Sequence, residues 1–221
     1  MESTLQSCAL VEVGRRVNAS GPMERMHHAA QSQSDEALLR LCAAGESAAL
    51  EELVRRYQAP LYRFLTRMLG SAEDAEEAAL DVFVRAWQHA PRFQYRARVA
   101  TWLYRIAVNI ARDMHSRRKA RPQETRPDSY ELAQIAIGSA EEDALKRLER
   151  EDRSRALDRA LARLNEKDRL LLVLYYFEER EYEEIQAITE LSYTVLKTRL
   201  ARARRRLRAL MEAESGETAG E

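Results

Sequence analysis

The chain has 221 residues, 33% of them charged, and a formal net charge of zero. It is rich in Ala, Leu, Arg and Glu, and Gly and Pro are scarce, so we predict an all-α protein. No apolar run approaches the roughly 18 residues needed to span a bilayer, and the first residues lack the order of a signal peptide. Cys8 and Cys42 have neither disulfide nor metal spacing. We therefore expect a cytoplasmic protein with no membrane insertion, no metal and no cofactor.

The neutral total conceals a segregation of charge along the chain. Basic residues are concentrated in 92–121 and 197–208, and acidic residues in 73–81, 141–152 and 178–190. Most charge runs are simply solvated helix faces. Two basic clusters, each on its own patterned helix, are more typical of a protein that binds nucleic acid in two places and another protein elsewhere.

The first part of the chain predicts a mobile tail and then a helical domain. Residues 1–33 have a mixed composition, and their apolar residues show only weak periodicity. Residues 34–118 form the predicted first domain, with helices at 35–44, Ser47–Leu69, 71–89 and 99–118. Gly45 and Gly70 are expected stops, Ser71 an N-cap, and Pro60 predicts a kink in the second helix.

The second part predicts a linker and a smaller helical domain. Residues 119–138 contain Pro122, Pro127 and Gly138 and are typical of a flexible linker, with a short helical turn at 130–137. The second domain covers 139–212. Ser139 and Glu142 have capping-box spacing at its start, and Asn165 is an expected N-cap. Residues 213–221 form an acidic tail.

The second domain ends in a pattern typical of a helix-turn-helix. In 182–210 a short helical pattern meets a brief polar break and then a long arginine-rich helix. One face of that helix is apolar and another is basic. The apolar set is Leu196, Leu200, Ala203, Leu207 and Leu210, and the basic face carries Lys197, Thr198, Arg202 and Arg205. A buried seam with a basic face is what a helix needs to enter the major groove.

The first basic cluster differs in kind, because its arginines alternate with Phe93, Tyr95, Trp102 and Tyr104. Unstacked bases stack on aromatic rings, so this pattern indicates binding of single-stranded DNA. Core packing is the alternative for Phe93 and Trp102, and the sequence leaves it open. No catalytic signature is present: there is no Gly-rich phosphate loop, no Ser-His-Asp order and no H-E-x-x-H spacing, so we expect no enzyme.

Three stretches together resemble an extracytoplasmic-function (ECF) sigma factor of the sigma-70 family. Residues 74–87 resemble sigma region 2.2, residues 93–113 regions 2.3 and 2.4, and residues 182–207 region 4.2. The resemblance implies sigma domains 2 and 4 joined by a linker. It implies core RNA polymerase as a partner, through the β′ clamp helices and the β flap, together with promoter DNA and an anti-sigma factor.

The resemblance also implies roles for individual residues. It places polymerase binding on Glu77, Asp81 and Arg85. Contacts with the −10 promoter element fall on Phe93, Tyr95, Arg96, Trp102, Arg105, Asn109 and Arg112. Contacts with the −35 element fall on Tyr193, Thr194, Lys197, Thr198, Arg199, Arg202 and Arg205.

Three positions depart from the family pattern. Leu80 stands where region 2.2 usually has Gln, and Thr194 where Gly usually precedes the recognition helix. Glu190 stands where the tight turn usually has Gly, and a left-handed residue there costs a non-glycine ~1 kcal/mol or more. Two other hypotheses remain open: a stand-alone helix-turn-helix regulator that does not bind core polymerase, and an adaptor or anti-sigma-like protein that has lost DNA binding.

Overall fold

The computed structural model describes residues 33–120 and 144–217, with side chains for 33–120 and 153–213. Every regular element in these ranges is helical, which confirms the all-α prediction. The predicted N-terminal tail, most of the linker, the turn at 130–137 and the capping pair Ser139 and Glu142 lie outside the described residues. No helix in the described ranges is long and apolar enough to cross a membrane.

The described residues of the first half, 33–120, form four α-helices and one short 3-10 turn. They are α1 (Asp35–Ala43), α2 (Ser47–Leu69), α3 (Ala72–His89), the 3-10 turn (Ala90–Arg92) and α4 (Val99–Ala120). Ser71 caps α3 as predicted, because its hydroxyl accepts from the Asp74 amide at 3.2 Å. Gly70 ends α2 with a left-handed φ of 71°. Pro60 lies inside α2, and the helix continues through it.

The second half contains the predicted helix-turn-helix. Its elements are α5 (Ala144–Ala162), α6 (Glu166–Leu172), a π-helical segment (Val173–Phe177), α7 (Tyr182–Thr189) and α8 (Tyr193–Glu217). Asn165 caps α6 as predicted, since its side chain accepts from the Asp168 amide at 3.0 Å. Helix α8 continues to Glu217, past residue 212 where we placed the end of the domain.

The two halves pack against each other through one continuous cluster of buried residues. Helix α7 lies against α4, and the segment from α5 to the π-helix lies against α2. Tyr104 is fully buried there, with its ring 5.2 Å from that of Phe64. Tyr104 is therefore a core residue, and counting it among the rings that could stack on DNA was wrong. Helical periodicity places it beside Leu103 and Ala107, which are also fully buried.

A buried carboxylate fixes α1 against α2. Glu52 is only 5% exposed and accepts from Arg55 at 2.6 and 2.7 Å and from Arg56 at 2.7 Å. Arg56 also donates to Asp35 of α1 at 2.7 Å. The hydrogen bond from Arg55 is the main reason why the pKa of Glu52 is lowered to about 2. The charged state of this carboxylate thus favours the packed pair of helices.

Candidate nucleic-acid interface

The turn between α7 and α8 has the left-handed geometry that the sequence predicts. Glu190 ends α7 with φ 62°, and its amide donates to the Gln186 carbonyl at 2.8 Å. The Gln186 side chain donates to the Leu191 carbonyl at 3.3 Å. These bonds hold the turn in a conformation that is costly for a residue other than glycine.

Helix α8 is amphipathic in the predicted sense. Leu196, Leu200 and Ala203 are fully buried, and Leu207 and Leu210 are half-buried against the core. Two of its arginines contact other elements of the domain: Arg204 lies 5.1 Å from the centroid of the Tyr175 ring, and the exposed Arg206 forms an ion pair with Asp168. These contacts orient the helix about its axis.

The remaining polar residues of α8 form an open basic face. Six of the seven residues predicted to contact the −35 element are exposed, and the seventh, Arg199, is half-buried. Among the described residues, Lys197, Arg202 and Arg205 have no ion-pair partner. The Thr198 hydroxyl donates to the Thr194 carbonyl at 2.8 Å. We call these seven residues the −35 surface: Tyr193, Thr194, Lys197, Thr198, Arg199, Arg202 and Arg205.

The aromatic residues near α4 form one stack. The Phe93 ring lies 4.8 Å from the Tyr95 ring and 4.8 Å from the Trp102 ring. Phe93 and Trp102 are half-buried against the core, whereas Tyr95 is 37% exposed, with φ 54° and the Arg40 guanidinium 4.9 Å from its centroid. Core packing of Phe93 and Trp102, one of the two alternatives, is therefore confirmed, and their role in binding an unstacked base stays a prediction.

A cavity of about 470 Å³ lies beside this stack. Basic and aromatic side chains line it, namely Arg92, Phe93, Arg96, Trp102 and Arg105, with His89, Gln94 and Ala187 also at its wall. Such a lining suits an aromatic group that carries negative charge, which describes a nucleotide. The predicted −10 residues did not include His89, Arg92 or Gln94, although Arg92 begins the first basic cluster and all three lie next to the aromatic run.

The three polar residues predicted on α4 are all exposed, but they differ in their contacts. Arg105 forms an ion pair with Glu190 of the turn before α8. Asn109 and Arg112 have no hydrogen-bond or ion-pair partner among the described residues. We call the seven predicted residues the −10 surface: Phe93, Tyr95, Arg96, Trp102, Arg105, Asn109 and Arg112.

The predicted polymerase-binding face of α3 is more apolar than the sequence suggested. Arg85 bonds to Asp81 at 2.8 Å and approaches Asp113 at 3.8 Å, so two of the three predicted charges are engaged within the chain. Leu80 is 70% exposed and Val84 is 52% exposed. They lie four positions apart and therefore on one side of the helix. Sequence reasoning noted Leu80 only as a departure and missed Val84.

Two protein-family models match the chain. The model described as Sigma-70 region 2 matches residues 53–121, and the model described as Sigma-70, region 4 matches residues 154–207. The first range contains the aromatic stack and the exposed face of α3, and the second contains the helix-turn-helix. Together they cover more than half of the 221 residues.

Individual proteins show the same relationship. The ECF RNA polymerase sigma factor SigW of Bacillus subtilis is 31% identical over 177 residues, which cover 74% of this chain and 89% of SigW. The structure of CnrH in complex with the cytosolic domain of CnrY has a TM-score of 0.59 at 24% identity and covers 82% of this chain and 99% of that chain. The complex of the sigma factor RpoE with the anti-sigma factor NepR from Bartonella quintana has a TM-score of 0.55 at 21% identity, with coverages of 73% and 96%. The last two show the fold. From the family models and the SigW identity, the chain belongs to the ECF sigma factors of the sigma-70 family and is an RNA polymerase sigma factor.

Proposed function

We propose that the chain directs core RNA polymerase to one class of promoters and assists promoter melting, with no chemistry of its own. In this role the −35 surface reads duplex DNA in the major groove. The buried seam of Leu196, Leu200 and Ala203 supports it by holding α8 against the domain. Lys197, Thr198 and Arg202 are the residues proposed to reach base edges, and Arg199 and Arg205 those proposed to contact phosphates.

The −10 surface would bind the strand that opens. Support comes from the stack of Phe93, Tyr95 and Trp102 beside a cavity lined with arginines. A base that leaves the duplex regains stacking worth ~1–3 kcal/mol on such a ring. Capture of the unstacked base lowers the free energy of the opened state, so melting needs no catalytic group.

The exposed face of α3 would bind polymerase, at the β′ clamp helices. Glu77, Asp81 and Arg85 supply charge, and Leu80 and Val84 supply apolar area that is open to solvent in the free chain. The second domain would contact the β flap. We also propose the boundaries 34–118 and 139–212 for the two domains, a linker at 119–138, and a cytoplasmic location.

An anti-sigma factor is a further proposed partner. CnrH and RpoE, which share this fold, were solved in complexes with the cytosolic domain of CnrY and with the anti-sigma factor NepR. A protein of that kind would act by competing for the surfaces that bind polymerase or DNA.

One observation carries the proposal: a single chain presents two basic surfaces of different chemistry. The −35 surface has four basic side chains and one ring, as suits a duplex, and the −10 surface has three arginines and three rings, as suits a single strand. If the chain were a stand-alone helix-turn-helix regulator, no binding partner would account for the aromatic stack or for the exposed Leu80 and Val84.

Two assays test the proposal. The purified chain is expected to co-purify with bacterial core polymerase at low salt, and the reconstituted holoenzyme to give promoter-dependent run-off transcripts. Failure to bind core would support the stand-alone regulator. Binding to core without promoter-dependent transcription would support the adaptor.

A further inference from the structure

A guanidinium from α1 continues the aromatic stack of the −10 surface. The Arg40 side chain lies 4.9 Å from the centre of the Tyr95 ring. The Tyr95 ring lies 4.8 Å from the Phe93 ring, and the Phe93 ring lies 4.8 Å from the Trp102 ring. These four side chains therefore form one column that runs from α1, across the loop of residues 93–98, to α4.

The backbone of this loop is not fixed by hydrogen bonds of its own. The Phe93 amide donates to the Ala90 carbonyl at 3.2 Å, and the Arg98 carbonyl accepts from the Trp102 amide at 3.1 Å. Residues 94–97, which lie between these bonds, form no backbone hydrogen bond with a described residue. Tyr95 also has φ 54°, a left-handed conformation that persists in a bulky residue only where the surrounding structure holds it. The shape of the loop therefore depends on contacts of its side chains.

Arg40 is well placed to supply such a contact. It is exposed, and its guanidinium has no hydrogen-bond or ion-pair partner among the described residues, so no carboxylate competes with the Tyr95 ring for it. Helix α1 lies against the 3-10 turn that precedes the loop. The helix is held on α2 by Arg56, which donates to Asp35 at 2.7 Å and to the Gln33 carbonyl at 2.9 Å. Arg40 thus extends from a fixed helix onto a loop that has few other supports.

We propose that Arg40 is a positioning residue for the −10 surface: its guanidinium holds the Tyr95 ring, and with it the loop 93–98, in the conformation that receives an unstacked base. The inference rests on the proposed function. Binding to rings that are already in place costs less ordering than binding to a loop that must first be ordered. Loss of Arg40 should therefore weaken capture of the base although Arg40 acts on the DNA only through Tyr95.

Direct contact between Arg40 and a DNA phosphate is the competing explanation, because a guanidinium binds phosphate well. The two explanations differ when the Tyr95 ring is absent. If Arg40 acts through that ring, replacing Arg40 has no further effect in a chain that lacks it. A direct contact with DNA would be lost in either background. A double-mutant cycle between the two positions therefore separates the explanations.

The test uses the full chain with Arg40→Gln, Arg40→Lys, Tyr95→Phe, Tyr95→Ala and the double variant Arg40→Gln with Tyr95→Ala. Lysine keeps a cation that can lie over the ring, and glutamine does not. Phenylalanine keeps the ring, and the Tyr95 hydroxyl has no hydrogen-bond partner among the described residues. The matched control is Arg208→Gln, which removes the same charge from an exposed position outside both surfaces.

Limited proteolysis reports the order of the loop without any DNA. Arg96 is exposed within the loop, so trypsin can cut after it when the loop opens, and mass spectrometry of the fragments identifies that cut. We expect Arg40→Gln and Tyr95→Ala to be cut there about two- to fivefold faster than the control, the range set by one exposed cation–π contact. Arg40→Lys and Tyr95→Phe should be cut at the rate of the control.

Fluorescence anisotropy reports binding of a short labelled single-stranded oligonucleotide of mixed sequence at low salt. Relative to the control, Arg40→Gln should bind this oligonucleotide about two- to fivefold more weakly. Arg40→Lys should bind like the control. The double variant should bind like Tyr95→Ala alone.

Three results would overturn the inference. Equal cleavage after Arg96 in Arg40→Gln and the control would show that Arg40 does not hold the loop. Faster cleavage with unchanged binding would show that the order of the loop does not serve base capture. Weaker binding by the double variant than by Tyr95→Ala would assign Arg40 to a direct DNA contact. If the unaltered chain does not bind the oligonucleotide, the proposed function of the −10 surface fails together with the role of Arg40 in base capture, and the cleavage rates still decide whether Arg40 holds the loop.

Discussion

The two basic surfaces of this chain differ less in their charge than in the ion pairs that their side chains form within the chain. On α8, Arg204 lies against the Tyr175 ring and Arg206 is paired with Asp168. Three other basic residues of α8 are exposed with no ion-pair partner among the described residues, namely Lys197, Arg202 and Arg205. On α4, Arg105 is paired with Glu190 of the same chain. The basic face of α8 is open, whereas one arginine of the −10 surface is already paired with a carboxylate of the same chain. The number and spacing of arginines thus predict a DNA-binding surface without telling which of its side chains are already paired within the chain.

The largest expected effect comes from removing the support of the open surface. Leu200 is fully buried beneath the basic face of α8. Leu200→Ala removes that packing and leaves a cavity, so we expect a loss of about 2–5 kcal/mol of stability. Thermal or urea unfolding followed by circular dichroism measures it, and −35 binding should fall with the loss of the folded second half.

Leu80 offers a matched control for that substitution, because it is 70% exposed. Leu80→Ala should change stability by no more than about 0.5 kcal/mol. It should nevertheless weaken binding to core polymerase, since apolar area on α3 would no longer be buried in the complex. Equal destabilisation by the two changes would contradict the assignment of Leu80 to an interface.

The next largest effect concerns the side chains of α8 that are proposed to contact base edges. Lys197→Ala or Arg202→Ala should cost about 1–3 kcal/mol of −35 recognition, the value of one lost contact with a base edge. Stability should hardly change, because both side chains are exposed. Run-off transcription across promoter variants measures the effect. Arg208→Ala, roughly three turns beyond Lys197 along α8 and also exposed, is the control. An unchanged promoter profile in the first two variants would count against the assignment.

The basic face of α8 was largely predictable from sequence, and the pairing of Arg105 on α4 was not. Period and charge placed Leu196 and Leu200 on the buried side of α8 and Lys197 on the exposed side, because a single helix fixes these relations. The left-handed turn at Glu190 also followed from local pattern. The pairing of Arg105 with Glu190 joins residues 85 positions apart in the chain (190 − 105). This pairing depends on how the two halves pack, which the local sequence pattern does not predict.

Aromatic residues show the same limit at closer range. Phe93, Tyr95, Trp102 and Tyr104 looked alike in the sequence, yet Tyr104 is fully buried and Tyr95 is exposed. Tyr104 points to the core because α4 turns it toward Phe64, and its hydroxyl is satisfied by Glu178 from the other half. The partner that makes burial of this hydroxyl tolerable comes from a distant segment.

Substitution of Trp102 tests whether the −10 surface binds an unstacked base. Trp102→Ala removes a ring on which a base can stack, so we expect open-complex formation to weaken by about 1–3 kcal/mol while closed-complex binding changes less. Trp102→Phe keeps a ring next to Phe93 and should retain part of the activity. Permanganate footprinting of the melted region measures opening. Footprints identical to those of the unaltered protein would contradict the assignment.

The smallest expected effect is on the pH dependence of stability, and Glu178 and Glu52 should influence it in opposite directions. Burial raises the pKa of Glu178 above its ordinary value, against the opposing effect of the Tyr104 hydroxyl and three nearby arginines. Its contribution to stability is therefore greatest below the ordinary pKa and declines as pH rises through the raised value. Glu52, with a pKa lowered to about 2, contributes above its ordinary pKa and loses that contribution as the pH falls toward about 2.

Glu178→Gln and Glu52→Gln should therefore change the melting temperature with opposite pH dependence. Relative to the unaltered chain, Glu178→Gln should gain in stability, and therefore in melting temperature, as the pH rises through the raised pKa of Glu178. Glu52→Gln should be less stable at neutral pH, because the bonds from Arg55 lose their charged acceptor, and should converge on the unaltered chain in acid. Melting curves from about pH 2 to about pH 8, read by circular dichroism, separate the two variants. If both variants run parallel to the unaltered chain, then neither carboxylate is coupled to folding, and the contact at Tyr104 loses its electrostatic basis.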